Sequence, residues 1–179
     1  MKGRIPNIVI TVLIIFSLIL GYHNLETQNT ANAEWLPEIE LSIDTGTEHQ
    51  AQPSIAVENG KVHVVWQGND DGDSDIYYRY FDGISWQPDQ EISTDIGTEN
   101  QAWAEITVDS GKLHVVWEDF RDGERDIYYR YYNGTDWKPV QEISTDIAIE
   151  EQYYPHIAVE NDKVHVVWED YGDGDMDIY

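Results

Sequence analysis

One pattern occurs three times in this chain. The runs "VHVVW" from Val62, "LHVVW" from Leu113 and "VHVVW" from Val164 place Trp66, Trp117 and Trp168 at a constant spacing of 51 residues, and Trp35, Trp86 and Trp137 form a second series with the same spacing. A fixed period of this length is the mark of repeated supersecondary units that bury their apolar faces against one another, because no single unit can do so alone. Each residue therefore has to be read together with its counterparts in the other copies.

Within a unit, four short runs rich in Val, Ile, Tyr and Trp alternate with gaps rich in Gly, Asn and Asp. The unit from Ser54 reads "SIAVE", "KVHVVW", "DIYYRYF" and "WQPDQEIS", which predicts four strands. Asn59-Gly60, with Ser110-Gly111 and Asn161-Asp162 in the same slot, predicts a two-residue hairpin between the first two strands. Beyond the N-terminal segment no stretch sustains apolar residues at the helical period. Four antiparallel strands per unit is the make-up of a β-propeller blade. The fold class expected is all-β: an incomplete arc of about three blades, with an outer strand over 35–44, blades over 52–95 and 103–146, and an incomplete blade over 154–179.

The chain opens with "MKGR", the apolar run from Ile8 to Leu20, and "ANA" at Ala31–Ala33. A basic start, a short apolar centre and a small-residue cleavage site predict a secretory signal peptide over 1–33. The apolar run is short for a bilayer span, so a retained membrane anchor is the alternative; the expected location is secreted or cell-surface. The sequence contains no cysteine, and with a formal net charge of −25 spread through every unit it offers no basic footprint for phosphates, so nucleic acid is excluded as a partner.

The order "IAVE", "VHVVWED", "RDG", "DIYYR" and Trp resembles the bacterial-neuraminidase-like repeats of the sialidase superfamily. The resemblance covers most of residues 35–179 and implies propeller blades of the kind already read from the period. The Asp box of that superfamily is present only in degenerate form, as "DGISW" at Asp82–Trp86 and "NGTDW" at Asn133–Trp137. A sialidase-like site would need three convergent Arg, a Tyr activated by a Glu and an acidic proton donor. Apart from Arg4, the chain has only Arg79, Arg121, Arg125 and Arg130; Arg79 and Arg130 recur with the repeat and are expected to support it. No catalytic residue carries over.

Function is sought where the copies differ. Ahead of the first strand the aligned segments read "TEHQAQPS", "TENQAWAE" and "IEEQYYPH", so one slot holds His49, Asn100 or Glu151, another Gln52, Trp103 or Tyr154, and a third Ser54, Glu105 or His156. In a propeller this segment leads into the innermost strand, near the central channel. His49, Gln52, Asn100, Trp103, Glu151, Tyr154 and His156 are accordingly the candidate ligand-binding residues, with glycans or cell-surface polysaccharide as the expected partner. The recurring His63, His114 and His165 lie one blade apart and are expected to be hydrogen-bonded supports.

The acidic hairpin loops offer alternate carboxylates around Gly. Asp71, Asp73 and Asp75 in the first, and Asp173, Asp175 and Asp177 in the third, are candidate calcium ligands; in the second, Arg121 and Arg125 predict Arg–carboxylate pairing instead. The function expected is an exported, non-enzymatic propeller module that binds carbohydrate, with a fragment of a sialidase-like glycoside hydrolase or a structural envelope protein as alternatives. The open arc further predicts either that the chain is part of a longer propeller, or self-association in which Trp35–Ser42 of one copy pairs with the third blade of another.

Overall fold

The computed structural model describes residues 37–42, 49–69, 72–94, 99–121, 123–144, 151–171 and 174–179. The chain divides into two units at Glu38, and the fold described is that of the second, Ile39–Tyr179. The predicted signal peptide lies outside the described residues. Among those residues, no helix is long and apolar enough to cross a membrane.

The unit is all-β and builds three antiparallel, blade-like sheets. The first runs β1 (Gln50–Glu58), β2 (Lys61–Gly68), β3 (Asp75–Phe81) and β4 (Gln90–Glu91) in spatial as well as sequence order. The second repeats it with β5 (Gln101–Asp109), β6 (Lys112–Asp119), β7 (Asp126–Tyr132) and β8 (Gln141–Glu142). The third contains β9 (Gln152–Glu160), β10 (Lys163–Asp170) and β11 (Asp177–Ile178). β1, β5 and β9 pack side by side as the innermost strands.

Two boundaries differ from the sequence pattern. The innermost strand begins at Gln50, ahead of the apolar run from Ser54, because a bulge between Ala51 and Ser54 shifts the register and lets pairing continue back to Gln50. The fourth strand is only two residues long: Trp86 and Trp137 do not extend it but make isolated bridges to Phe81 and Tyr132. Pro88 and Pro139 supply no N–H to continue the ladder.

The three hairpins turn as their sequences predict. Asn59 and Gly60 have φ of 51° and 79°, Ser110 and Gly111 54° and 76°, and Asn161 and Asp162 52° and 61°. Two successive left-handed residues make a type I′ turn, which matches strand twist and favours Asn followed by Gly. Ser110 is the less suited residue at its site. Ser110→Asn should raise stability by about 0.5 kcal/mol, read as a rise in melting temperature; an unchanged or lowered value would show that the Ser110 hydroxyl bond to Asp109 matters more than the turn.

Adjacent blades meet through a continuous core. Val65, Ile76 and Tyr78 from the first blade cluster with Ala104, Ile106, Leu113, Val115 and Trp117 from the second. Two of the three recurring histidines hold their sheets laterally: His63 Nδ1 pairs with the Tyr78 hydroxyl at 2.7 Å and His114 Nδ1 with that of Tyr129 at 2.8 Å, whereas His165 is exposed. Burial holds the pKa of both imidazoles below the ordinary histidine value. The recurring arginines join blades. Arg130 donates from Nε to the Lys138 carbonyl (2.8 Å) and from Nη1 to that of Ile92 in the preceding blade (2.7 Å). Arg79 does the same to Gln87 and Leu41.

The degenerate Asp boxes also act as supports. Asp82 Oδ1 accepts the Ile84 and Ser85 N–H groups, and Asn133 Oδ1 those of Thr135 and Asp136. Either residue type serves, because the turn needs only a short side chain with an acceptor oxygen.

Candidate functional site: an axial cleft

The bulge in each innermost strand has one geometry. It leaves two residues out of register between Ala51 and Ser54 and between Ala102 and Glu105, and breaks the β9 pairing between Val167 and Glu169 of β10. At its centre stand Gln52, Trp103 and Tyr154, with φ of 52°, 53° and 50°. Side-chain-bearing residues adopt this left-handed conformation at a cost of about 1–3 kcal/mol each, and keep it where the surroundings compel it. In the second and third blades the preceding blade holds it. The Gln52 amide oxygen accepts the Trp103 N–H at 3.0 Å, and the Glu118 carboxylate accepts that of Tyr154 at 2.7 Å.

The bulges bring the variable slots together. Gln52, Trp103 and Tyr154 with Glu105, His156 and Glu169 line a cleft of about 370 Å³. Trp103 and Tyr154 meet edge to face at 4.8 Å between ring centroids and remain 42% and 41% exposed. Below them, Glu105 bridges blades by accepting the Ser54 hydroxyl at 2.8 Å, while its other oxygen lies 3.8 Å from His156 Nδ1. The cleft thus joins two partly open aromatic rings to an amide, two carboxylates and an imidazole, a set that can stack on an apolar ring face and hydrogen-bond its hydroxyls.

Of the candidate binding residues, Gln52, Trp103, Tyr154 and His156 line this cleft. His49, Asn100 and Glu151 do not. The His49 N–H donates to Asn69 Oδ1, Asn100 Oδ1 accepts the Ser74 N–H, and the Glu151 carbonyl accepts that of Tyr171. That slot fastens the start of each innermost strand to the hairpin loop beside it. Glu169 was not among the sequence candidates. Its signal was the slot after the repeated Trp, where Gln67 of the first copy gives way to Glu118 and Glu169.

Glu118 is the cleft's hidden support. Buried to 1% exposure, its side chain sits 3.4 Å from Arg125 Nε, and burial raises its pKa above the ordinary glutamate value despite that cation and the Tyr154 N–H. The Arg125 guanidinium lies between the rings of Phe120 and Tyr153, 4.6 and 4.4 Å from their centroids. Arg121 binds Asp119 through Nε (3.0 Å) and Nη2 (2.5 Å). The Arg–carboxylate pairing expected in the second loop is therefore present. Each of the four described arginines is committed within or between blades, and none of them lines the cleft. Tyr153 donates its hydroxyl to Glu151, and that bond, with desolvation, raises its pKa, the direction opposite to nucleophile activation.

In the acidic loops Asp71 and Asp173 lie outside the described residues. Asp75 is buried, and its carboxylate accepts the Ser93 hydroxyl (3.1 Å), which in turn accepts the Ile76 N–H (3.1 Å). Asp126 and Ser144 repeat the motif, so Asp75 tethers the segment after the fourth strand to the third strand. Asp175 and Asp177 are exposed. Among the described residues no three His, Asp or Glu side chains are grouped to hold a metal ion.

Comparison with known proteins yields a shared fold. No family model matches the chain, and no curated protein matches it in sequence. Among solved structures it is similar to Zg3597, a family 117 glycoside hydrolase from the marine bacterium Zobellia galactanivorans, with a TM-score of 0.53 and 14% identity over 80% of this chain. The match spans only 54% of that protein. The structural neighbour is thus a glycoside hydrolase, and neither sequence comparison supports the sialidase-type repeat.

Proposed function

We propose that this chain is an exported, non-enzymatic module that binds carbohydrate through the axial cleft. The observation that carries the reading is the set of three left-handed bulges, which bring Gln52, Trp103 and Tyr154 to one axis at a conformational cost. Strain maintained at equivalent positions, with unlike side chains at each, is what a binding site built on a repeat requires. The structural neighbour's description as a glycoside hydrolase agrees with a saccharide ligand. Against a sialidase-type hydrolysis stand the arginines committed to blade contacts and the Tyr153 hydroxyl, which is bonded to Glu151.

A glycan array probed with the purified protein tests the proposal, with reducing-end release from the bound glycans measured in parallel. Binding without turnover is expected. Trp103→Ala should weaken binding about tenfold to a hundredfold, as loss of an aromatic anchor does, and leave the melting temperature nearly unchanged. Wild-type affinity in that variant would remove the cleft from the proposal; turnover would replace a binding module with an enzyme.

A further inference from the structure

A second groove, of about 810 Å³, lies between the first and second blades and shares no residue with the axial cleft. Its size falls within the roughly 300–1,000 Å³ typical of small-molecule sites. Both blades that border it are four-stranded sheets. One wall carries His63, Tyr78 and Tyr80, whose rings lie 5.9–6.0 Å apart at interplanar angles of only 12–15°. The other carries Tyr132 and Trp137, the indole standing edge-on to Tyr78 at 5.3 Å between centroids. Among the described residues no hydrogen bond reaches the hydroxyls of Tyr80 and Tyr132 or the indole N–H of Trp137.

Comparison of the copies sets this groove apart. On its second-blade wall stand Tyr132, Thr135 and Asp136, where the first blade has Phe81, Ile84 and Ser85. Each replacement brings a hydroxyl or a carboxylate to a position that the blade itself fills with something less polar or uncharged. Lys61 differs from its counterpart in the opposite way. Lys112 reaches across to the third hairpin and pairs with Asp162, whereas the slot equivalent to Asp162 in the second hairpin is Gly111. Lys61 therefore finds no carboxylate there, and the groove it lines is not bridged by that ion pair. Glu58 is already committed, accepting the N–H groups of Ser110 and Gly111 at 2.7 Å each.

We propose that this groove is a second binding site, for an uncharged saccharide, so that one chain can hold a polysaccharide at two points. Flat aromatic walls suit the apolar faces of sugar rings, and the unmet donors and the Asp136 carboxylate suit hydroxyls, which both donate and accept. A proline-rich peptide would also stack on such rings, but its imide carbonyls only accept and would leave Asp136 without a donor. The carboxylates of Glu58 and Asp136 at the groove, and the formal net charge of −25, disfavour acidic sugars. The groove stands without the axial cleft; only the two-point hold rests on the carbohydrate reading of that cleft, and it would add avidity without any new contact.

Affinity electrophoresis of the full chain, in gels containing mannan, xylan or a mixed-linkage β-glucan, tests the proposal, with polygalacturonate as the acidic comparison. Retardation is expected in an uncharged gel and not in polygalacturonate. Gly111→Asp offers Lys61 the partner that Lys112 has, and should weaken binding about tenfold. The fold tolerates it: Asp162 adopts φ of 61° in the same slot as Gly111 at 76°, and a Cβ at Gly111 meets no atom within 4 Å. The double variant Thr135→Ile, Asp136→Ser carries the residues of the first blade, so it should keep its melting temperature and weaken binding to a similar degree. Combining Gly111→Asp with Trp103→Ala should cost more than either change alone. Binding that Trp103→Ala leaves intact but the groove variants lower would still support the groove, and would remove only the axial cleft. Wild-type affinity in both groove variants would overturn the proposal. So would a wild-type chain that no uncharged gel retards, or a decaproline peptide that binds in place of saccharide and is lost with Gly111→Asp.

Discussion

Trp117→Ala should be among the most damaging single substitutions in this protein, lowering unfolding free energy by about 3–5 kcal/mol. Trp117 is the largest of the fully buried side chains and sits in the core cluster between the first and second blades. Its removal opens a cavity at a place where two sheets meet, and neither backbone can collapse without breaking register along β6. It also takes a hydrogen bond from Asp119, a fully buried carboxylate that receives the indole Nε1–H at 2.9 Å and is paired with Arg121. Because the two side chains share that bond, Asp119→Ala should cost less in the Trp117→Ala background than alone. Urea titrations of the four proteins of the cycle measure both statements. A loss below about 1.5 kcal/mol for Trp117→Ala, the range of conservative hydrophobic swaps, would mean that the blades are not held by this core.

Arg130→Met is the second large effect, expected at about 2–4 kcal/mol because it removes two hydrogen bonds from a charged donor. The guanidinium reaches the Lys138 carbonyl in its own blade and that of Ile92 in the blade before, and lies 5.6 Å from the Trp137 ring centroid. Burial lowers its pKa from the ordinary arginine value, so part of the loss is offset by no longer desolvating a cation. The planar fork spans both carbonyls at once, whereas a lysine ammonium offers a point charge. Arg130→Lys should therefore recover only a minor part of the lost stability, measured by the same urea titration. Full recovery would show that charge, and not the bridging geometry, is what the blades need.

These supports could be read from the repeat itself. The 51-residue period, the Asn-Gly and Ser-Gly turns and the strand-forming runs determined that the chain builds like blades, each with a type I′ hairpin between its first two strands, since turn chemistry and β propensity act over a few residues. Recurrence also marked Arg79, Arg130, His63 and His114 as supports, because a side chain that serves the blade itself returns with the repeat. The variable slots identified Gln52, Trp103, Tyr154 and His156 as residues to follow, but not which of the seven candidates share a cleft. That was decided by the bulge, whose left-handed residue is held in the second and third blades by hydrogen bonds to the neighbouring blade, Trp103 N–H to Gln52 and Tyr154 N–H to Glu118. No local signal announces a conformation that non-glycine residues adopt only under tertiary constraint. The same holds for Asp75, which reads as a calcium ligand along the chain and as a tether for Ser93 in space. Carboxylate spacing belongs to the sequence; the donor that reaches each carboxylate first is settled only when strands distant in sequence are brought together.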